Sequence, residues 1–406
     1  MKIAVIGSKG LPPHQGGIEH QCAEIYPRMV AAGHQVDLYA RSSYNAHSSH
    51  GKVDTYRGVR VITMPSIKVR GIDALACSGM SAALAATKNY DIIHFHALGP
   101  SLFTPVPQLF SGAKILTTCH GLDWQRAKWG TLSSKAIKTG EQAAVKFTDR
   151  LVVVSEALQE YFRQTYHKPS TYIENAPVAY ADSDEQFAYG NSLGLERDRY
   201  LVFIGRLVPE KRVDLLLTAF QQLQQWQQDN GWKLVFVGDK SDTSSFSSQL
   251  LQLANNSPDI VFTGELQGPY LAEIMRGAGL FVLPSDLEGL PLALLEAMQE
   301  GIPAVVSDIP VHRQMMGQGR GITFAAGNLS ALSSQLAWAI ANPAEMALMA
   351  KQANAYVQSN HNWDNITQKY LQLYSTMLNR QLEPVFPTAS SRIQTLRETR
   401  LKKQRY

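Results

Sequence analysis

Short apolar runs alternate with helix-patterned segments along most of the chain. The first helical segment places Ile18, Cys22, Ile25 and Met29 on one stripe and is expected to stop at Gly33. Repeated strand–helix units of this kind predict an α/β fold whose parallel sheets carry helices on both faces. The apolar runs that predict buried strands occupy residues 3–6, 36–39, 59–64, 92–95, 115–119, 151–154, 201–204, 234–237, 260–262, 280–283 and 304–306.

A polar stretch at residues 179–199 interrupts this alternation before a new apolar run begins at Tyr200. A chain of 406 residues is long enough to form two separate cores. We therefore expect two parallel-sheet domains followed by a helix that crosses back to the first domain and by a basic, solvated tail. The expected bounds are 1–190, 191–360, 361–380 and 381–406.

Composition and charge narrow the class of protein. With 45% hydrophobic and 18% charged residues the chain is expected to be globular, and a net charge of +4 is too small to indicate a nucleic-acid partner. Cys22, Cys77 and Cys119 are scattered without metal-ligand spacing, which favours a reducing, cytoplasmic location. The first apolar run reaches Lys9 too soon for a signal peptide, and no run is long enough to span a membrane.

Two carboxylates flank a helix start in the second half. Glu288 and Glu296 stand eight residues apart around Pro291, which suits the first position of a helix because proline lacks the N–H that would stay unpaired there. Eight helical residues rise about 12 Å. This spacing fits the distance between the sugar and the ribose of a nucleotide-sugar, with the helix N–H groups facing the diphosphate.

Two cations follow a strand in the same half. Arg206 comes directly after the apolar run at 201–204, and Lys211 lies near the next helix start. At the carboxyl edge of a parallel sheet, both side chains would stabilise the charge that a leaving nucleoside diphosphate gains. Alone they would be equally consistent with solvated surface cations. Together with the two carboxylates they favour a binding site.

These residues resemble a known enzyme family. The stretch Phe-Ile-Gly-Arg-Leu-Val-Pro-Glu-Lys at 203–211, taken with Glu288 and Glu296, resembles retaining glycosyltransferases of family 4, which have two Rossmann-like domains in the GT-B arrangement. Segments 10–19 and 119–130 are similar to a bacterial subgroup that includes rhamnosyltransferases of cell-surface polysaccharide synthesis. The resemblance covers most of residues 1–378.

The resemblance implies roles for individual residues of the second half. It assigns Glu288 to the hydroxyls of the donor sugar and Glu296 to the ribose. It extends the donor site to the two residues after Glu288, which are Gly289 and Leu290. Arg206 and Lys211 would then act on the diphosphate.

Three positions in the first half are implied at the same cleft. Gly16 and Gly17 form neither a P-loop nor a dinucleotide fingerprint, yet they let backbone N–H groups approach a phosphate, and the resemblance places them against donor phosphate or acceptor. His120 ends a strand, and the family arrangement brings it to the donor sugar. It is not expected to be a general base, because such enzymes are thought to use same-face attack in which the departing phosphate takes the acceptor proton.

The acceptor side is less sharply defined. His96 ends the preceding predicted strand and is a candidate for acceptor contact, although a lone strand-end histidine is more often structural. Trp124 and Arg126 begin a segment of mixed aromatic and basic residues at 124–129. That segment fits an acceptor cleft and an anionic membrane surface equally well.

Two further patterns bear on cofactors and on the donor. Asp182 and Asp184 match a short metal-binding pattern but lie in a polar linker, so we expect no metal and no other cofactor. Related sequences commonly carry an Asn-Gly turn after the last strand of the first domain, whereas this chain has Asn175 followed by Ala176. Losing the glycine disfavours a left-handed backbone and weakens any inference about the donor.

The sequence therefore predicts a retaining glycosyltransferase. It would move a sugar from a nucleotide-sugar, with dTDP-rhamnose or a UDP-sugar favoured, to a glycan or lipid-linked glycan. The location would be cytoplasmic or peripheral on the inner face of the membrane. Alternatives are a nucleotide-sugar epimerase of the same fold and a non-catalytic nucleotide-sugar-binding protein. A nicotinamide-dependent dehydrogenase is disfavoured because G-x-G-x-x-G is missing.

Overall fold

The computed structural model describes residues 1–13, 16–44, 53–65, 72–126, 130–227, 231–238 and 244–380. These residues form two sheets with helices packed on their faces, so the α/β expectation is confirmed. The predicted basic tail at 381–406 lies outside the described residues.

The first sheet has the strand order β3-β4-β2-β1-β5-β6-β7-β8. Its neighbouring strands are parallel except for the antiparallel pair β3–β4 at one edge. The strands are β1 (Lys2–Ile6), β2 (Gln35–Arg41), β3 (Val53–Tyr56), β4 (Val59–Met64), β5 (Ile92–His96), β6 (Lys114–Cys119), β7 (Arg150–Val153) and β8 (Thr171–Tyr172).

The second sheet is parallel throughout its described strands, in the order β11-β10-β9-β12-β13-β14. Its central strands are apolar at nearly every position because helices cover both faces. The strands are β9 (Tyr200–Ile204), β10 (Lys233–Val237), β11 (Ile260–Gly264), β12 (Leu280–Leu283), β13 (Ala304–Ser307) and β14 (Ile322–Phe324).

Fourteen helices lie within the described residues, besides three short 3-10 turns. None of them combines the length and apolar character needed to cross a membrane. The helices are α1 (Gly17–Ala31), α2 (Ile72–Ala86), α3 (Pro105–Phe110), α4 (Thr131–Phe147), α5 (Glu156–Tyr166), α6 (Ala188–Ser192), α7 (Val213–Gln227), α8 (Ser244–Ala254), α9 (Gly268–Arg276), α10 (Leu292–Gln299), α11 (Pro310–Met316), α12 (Leu329–Ala341), α13 (Pro343–Asn360) and α14 (Trp363–Met377).

The last helix belongs to the first core although it comes from the end of the chain. Tyr370 and Tyr374 of α14 are fully buried with Tyr26 of α1 in a cluster built on the first sheet. By contrast, α12 and α13 contribute to the cluster around the second sheet. Phe187, which precedes α6, also packs in that second cluster. The carboxyl ends of both sheets consequently face a cleft to which loops from both halves contribute.

Candidate active site between the two sheets

Two helix N-termini meet across this cleft. Helix α1 begins at Gly17 and α10 begins at Leu292, whose Cδ1 lies 3.1 Å from the position that a Cβ on Gly17 would occupy. Unpaired N–H groups at helix starts favour anions, so the two helix starts make this part of the cleft suited to phosphate. Pro291 occupies the N-cap position, not the expected first helical position, because its ψ of 103° is extended.

The backbones of the two halves touch at a pair of glycines. A Cβ on Gly289 would lie 1.8 Å from the carbonyl oxygen of His120 and 3.1 Å from the Cα of Gly121. No side chain fits at position 289 without moving one half away from the other. Leu290, the next residue, packs against both the second core and the cluster beneath β6 and β7. Gly289 and Leu290 thus form one of the contacts between the two halves, beside the site.

Lys211 and Glu288 form an ion pair in the cleft. Nζ of Lys211 donates to Oε1 of Glu288, and the side chains are only 17% and 10% exposed. Burial acts to raise the pKa of the Glu288 carboxyl, but the charge of Lys211 and the hydrogen bond that it donates outweigh burial and hold that pKa below its ordinary value. Glu288 is therefore an ionised acceptor held beside the cation that the sequence assigns to the diphosphate.

Arg206 and Arg126 bring positive charge from opposite halves. Arg206 follows β9 and is exposed to the cleft, where Arg126, Asp123 and Glu288 are close enough to influence its charge. Nε of Arg126 lies 3.0 Å from Oδ1 of Asp123. Two guanidinium groups so placed repel one another, and a doubly charged anion between them would relieve that repulsion. The structure therefore brings together Arg206, Lys211 and Arg126.

Glu296 has a partner that the sequence did not reveal. The hydroxyl of Tyr180 donates to Oε2 of Glu296 at 2.9 Å, and the backbone N–H of Val178 donates to the same carboxyl. Burial raises the pKa of Glu296 to about 7, because these two hydrogen bonds only partly offset the loss of solvent and nearby Glu300 adds to the rise. Tyr180 lies in the polar stretch between the domains, where no local pattern distinguishes it.

His120 reaches the cleft and His96 does not. Nε2 of His120 lies 3.0 Å from Nδ1 of His96, whose side chain is fully buried behind it. The expectation that His96 contacts the acceptor is corrected, because a ring enclosed by Tyr26 and His120 has no surface on the cleft. Burial lowers the pKa of His120 to about 4, although Asp123 acts to raise it, so the ring is neutral at pH 7.

The side chain of Trp124 is held in place by residues of α4. Its Nε1–H donates to Oε2 of Glu141 at 2.8 Å, and Nζ of Lys138 lies 4.3 Å from the centre of the Trp124 ring. Glu141 is fully buried and also accepts from Tyr161. The polar edge of Trp124 is thus used inside the protein, and the contact fixes the 3-10 turn that precedes Arg126. The rest of the predicted aromatic and basic segment, residues 127–129, lies outside the described residues.

A cavity of about 540 Å³ opens beside the ion pair. It is lined from the first half by Gln125 and from the second half by residues that include Glu210, Arg212 and Asp286. Its size is that of a small-molecule site. Asp184, which the sequence analysis discounted as a metal ligand, accepts from the backbone N–H of Gln186 at 2.9 Å and stabilises a turn.

One further residue near the carboxylates was missed by the sequence analysis. His312 in α11 is fully buried, and its Nδ1 lies 3.0 Å from Oγ of Ser307. Its proximity to Glu288 acts to raise the pKa of His312, but burial dominates and lowers that pKa to about 4. Nothing in the local sequence Pro-Val-His at 310–312 indicates that this histidine is buried close to Glu288.

Two family models match the chain in succession. Residues 15–176 match the model described as Glycosyltransferase Family 4, and residues 186–356 match Glycosyl transferases group 1. The D-inositol 3-phosphate glycosyltransferase of Rhodococcus erythropolis is 24% identical, over 88% of this chain and 86% of that protein. A GDP-mannose-dependent alpha-(1-6)-phosphatidylinositol monomannoside mannosyltransferase of Mycolicibacterium smegmatis is 23% identical, over 87% and 93%.

Solved structures share the same architecture. Sucrose-phosphate synthase from Thermosynechococcus elongatus superposes with a TM-score of 0.78 at 21% identity, covering 93% of this chain and 99% of that one. The Anabaena protein HepE in complex with UDP-glucose gives 0.75 at 16% identity, covering 93% and 100%. The chain therefore belongs to the glycosyltransferases of group 1 and family 4 and has the GT-B fold.

Proposed function

We propose that the protein is a retaining glycosyltransferase that moves a sugar from a nucleotide-sugar to a glycan or lipid-linked glycan in cell-surface polysaccharide synthesis. In this proposal residues 191–360 bind the donor and residues 1–190 bind the acceptor. The observation that carries it is the meeting of the Lys211–Glu288 pair with Arg206 and the N-terminus of α10 in one cleft. Fold alone would not support it, because function depends on the site.

In the second domain we assign each charged group to one part of the donor. Arg206 and Lys211 bind the diphosphate and stabilise the charge that grows on it as the glycosidic bond breaks. Glu288, with Gly289 and Leu290, accepts from hydroxyls of the transferred sugar. When the donor is bound, Lys211 has two anionic neighbours, Glu288 and the phosphate, and its ammonium group can donate a hydrogen bond to each of them. Glu296, held by Tyr180, accepts from the ribose.

In the first domain we assign Gly16 and Gly17, at the start of α1, to the donor phosphate, Trp124 and Arg126 to the acceptor, and His120 to the donor sugar. The acceptor oxygen attacks from the face that the leaving group departs from, and the departing phosphate takes its proton. The arrangement of two domains around the site supports this, because their approach holds the reacting atoms together and excludes water.

For the donor we retain dTDP-rhamnose or a UDP-sugar. HepE, which has the same fold, was solved with UDP-glucose, whereas the mycobacterial relative is named for GDP-mannose. A guanosine donor is therefore the rival outcome. A neutral His120 facing the sugar supports any of these donors equally, since the base lies elsewhere.

We also propose that the protein works in the cytoplasm at an anionic membrane surface. Helix α4, which follows the cleft segment, exposes Leu132 at 82% together with Lys135 at its N-terminal end. An apolar side chain beside a cation suits the headgroup region of a bilayer. Sedimentation with vesicles of anionic lipid should remove the protein from solution, and Leu132→Asp should reduce that binding; equal recovery with neutral vesicles would contradict the proposal.

Thermal stabilisation by UDP, dTDP, GDP and NAD tests the donor site. A nucleotide at ~100 times its dissociation constant adds about 2.7 kcal/mol to the stability of the state that it binds. Stabilisation by one nucleoside diphosphate that is lost in Arg206→Ala supports the site and names the donor class. Stabilisation by NAD alone, or by no diphosphate, refutes it. Incubation of that nucleotide-sugar with and without acceptor then separates a transferase from an epimerase, which needs the donor alone.

A further inference from the structure

A row of hydrogen-bonded side chains runs through the interior of the first domain and ends at His120. Every member behind His120 is fully buried. The row crosses from α1 and α14 to β6 and β5, so residues far apart in the chain meet in it. Its successive contacts are Gln21 Nε2 to Tyr370 OH at 3.3 Å, Tyr370 OH to Thr118 Oγ1 at 3.2 Å, Thr118 Oγ1 to His94 Nε2 at 2.7 Å, His94 Nδ1 to Tyr26 OH at 2.8 Å, Tyr26 OH to His96 Nε2 at 2.6 Å, and His96 Nδ1 to His120 Nε2 at 3.0 Å.

The inner end of the row fixes its direction. Nε2 of Gln21 lies 2.6 Å from Oδ1 of Asn175, so the amide nitrogen faces an acceptor there and its second N–H faces Tyr370. An amide nitrogen only donates. The hydroxyl of Tyr370 accepts from Gln21 and has Thr118 as its other partner in the row, so the direction that uses the Tyr370 proton within the row sends it to Thr118. The proton of Thr118 is in turn directed to Nε2 of His94.

The same reasoning continues through the histidines. A neutral imidazole carries one N–H, so a ring that accepts at one nitrogen donates at the other. His94 accepts at Nε2 and donates from Nδ1 to Tyr26, while the Tyr374 hydroxyl, 2.7 Å from the same nitrogen, is also hydrogen-bonded to Tyr26. Tyr26 donates to Nε2 of His96, and Nδ1–H of His96 donates to Nε2 of His120. The proton of neutral His120 is then on Nδ1.

We infer that Tyr26, His94 and His96 are positioning residues that hold His120 as the Nδ1–H tautomer, so that it presents a hydrogen-bond donor to the cleft. The inference rests on the proposed function for its catalytic consequence only. Burial supports it, since it lowers the pKa of both His94 and His96 well below the ordinary value and keeps the row neutral. In the opposite tautomer His120 would present a lone pair and could not donate to a sugar or phosphate oxygen.

The proton position on His120 can be measured in the free protein. Long-range ¹H–¹⁵N spectra of protein labelled in its 11 histidines distinguish a protonated from an unprotonated ring nitrogen, and His120→Gln identifies the His120 signals. We expect Nδ1 to be protonated and Nε2 to accept. Tyr26→Phe keeps the buried ring but removes the donor to His96, so the His120 signals should move toward the Nε2–H form. A proton on Nε2 in the wild-type protein overturns the inference, whether or not the variant folds.

Kinetics supply the second readout. Tyr26→Phe should lower kcat about tenfold while changing the KM for the donor less than twofold, because His120 acts on the transition state and the donor pocket is intact. Tyr39→Phe is the matched control: its ring is equally buried and its hydroxyl contacts only Tyr90, at 3.1 Å, in this part of the described structure. If Tyr26→Phe changes the His120 signals and kcat no more than Tyr39→Phe does, the row has a structural role alone. The spectra need no turnover, so failure of the proposed function would leave the tautomer result standing.

Discussion

The titration of Glu296 gives a quantitative test of the second domain. Burial raises the pKa of its carboxyl from an ordinary value of 4.5 to about 7. A raised pKa means that the folded protein holds a proton that the unfolded chain releases between these two values. The stability from this group is thus fully present below pH 4.5 and is lost as the pH rises through about 7.

The size of the effect follows from the shift. One pKa unit corresponds to about 1.36 kcal/mol, so the loss between the two pKa values is about 3 kcal/mol. Because the Glu296 side chain keeps some contact with solvent, we expect about 2 kcal/mol of it to be observed. Glu296→Gln cannot titrate, and its amide resembles the protonated acid. The wild-type protein should therefore lose about 2 kcal/mol relative to Glu296→Gln between pH 5 and pH 8.

Chemical denaturation of both proteins at half-unit steps of pH measures this difference. Glu185→Gln serves as the control, because Glu185 is exposed in the same part of the chain as Tyr180. Tyr180→Phe removes one of the hydrogen bonds that oppose the rise, so it should move the transition to higher pH. A constant difference between wild type and Glu296→Gln across the range would refute the reasoning. It would show that the carboxyl titrates as in water.

Three further predictions concern other parts of the site. Lys211→Met should lower kcat/KM by about 10²–10³, the usual effect of removing one group that stabilises developing charge, and initial rates with saturating acceptor would show it. Gly289→Ala should destabilise the protein by about 1–3 kcal/mol and reduce activity, because its Cβ would meet the carbonyl of His120, whereas Gly112→Ala meets nothing within 4 Å and should be neutral in denaturation and rate assays. Treatment with a chelator of divalent metals should leave the initial rate unchanged; a loss restored by added metal would reverse our assignment of the diphosphate to Arg206 and Lys211.

Much of the fold could be predicted because both sheets are covered on two faces. Such strands are apolar at most positions, as in β4 apart from Arg60 and Thr63, or throughout, as in β12, and both were predicted with their exact bounds. The three missed strands lack this property. Strand β3 alternates exposed and partly buried positions at the antiparallel edge, and β8 and β14 are edge strands of two and three residues. A short run at an edge buries too little apolar surface to leave a pattern in the sequence.

The candidate site was predictable in part for a different reason. Arg206, Lys211, Glu288 and Glu296 lie in local motifs, and the sequence could therefore nominate each of them. It could not show which of them touch. Lys211 contacts Glu288 across 77 positions and Tyr180 contacts Glu296 across 116, and single-sequence patterns carry no information about such separations. The assignment of Arg206 and Lys211 to the diphosphate, of Glu288 to the transferred sugar and of Glu296 to the ribose is still a prediction.

For His96, the strand face was predicted correctly, but the predicted exposure of the side chain to the cleft was wrong. Strand alternation puts His94 and His96 on one face of β5, as observed. The sequence predicted a helix that crosses back to the first domain, but it could not show that this helix, α14, covers that face with Tyr370 and Tyr374. The helix supplies the Tyr374 hydroxyl, 2.7 Å from Nδ1 of His94, and the Tyr370 hydroxyl, 3.2 Å from Oγ1 of Thr118, and it shields this polar cluster from solvent. The polar interior behind His120 therefore includes side chains from α14, which follows the second domain in the chain, so the packing around His94 and His96 could not be read from β5 and its sequence neighbours.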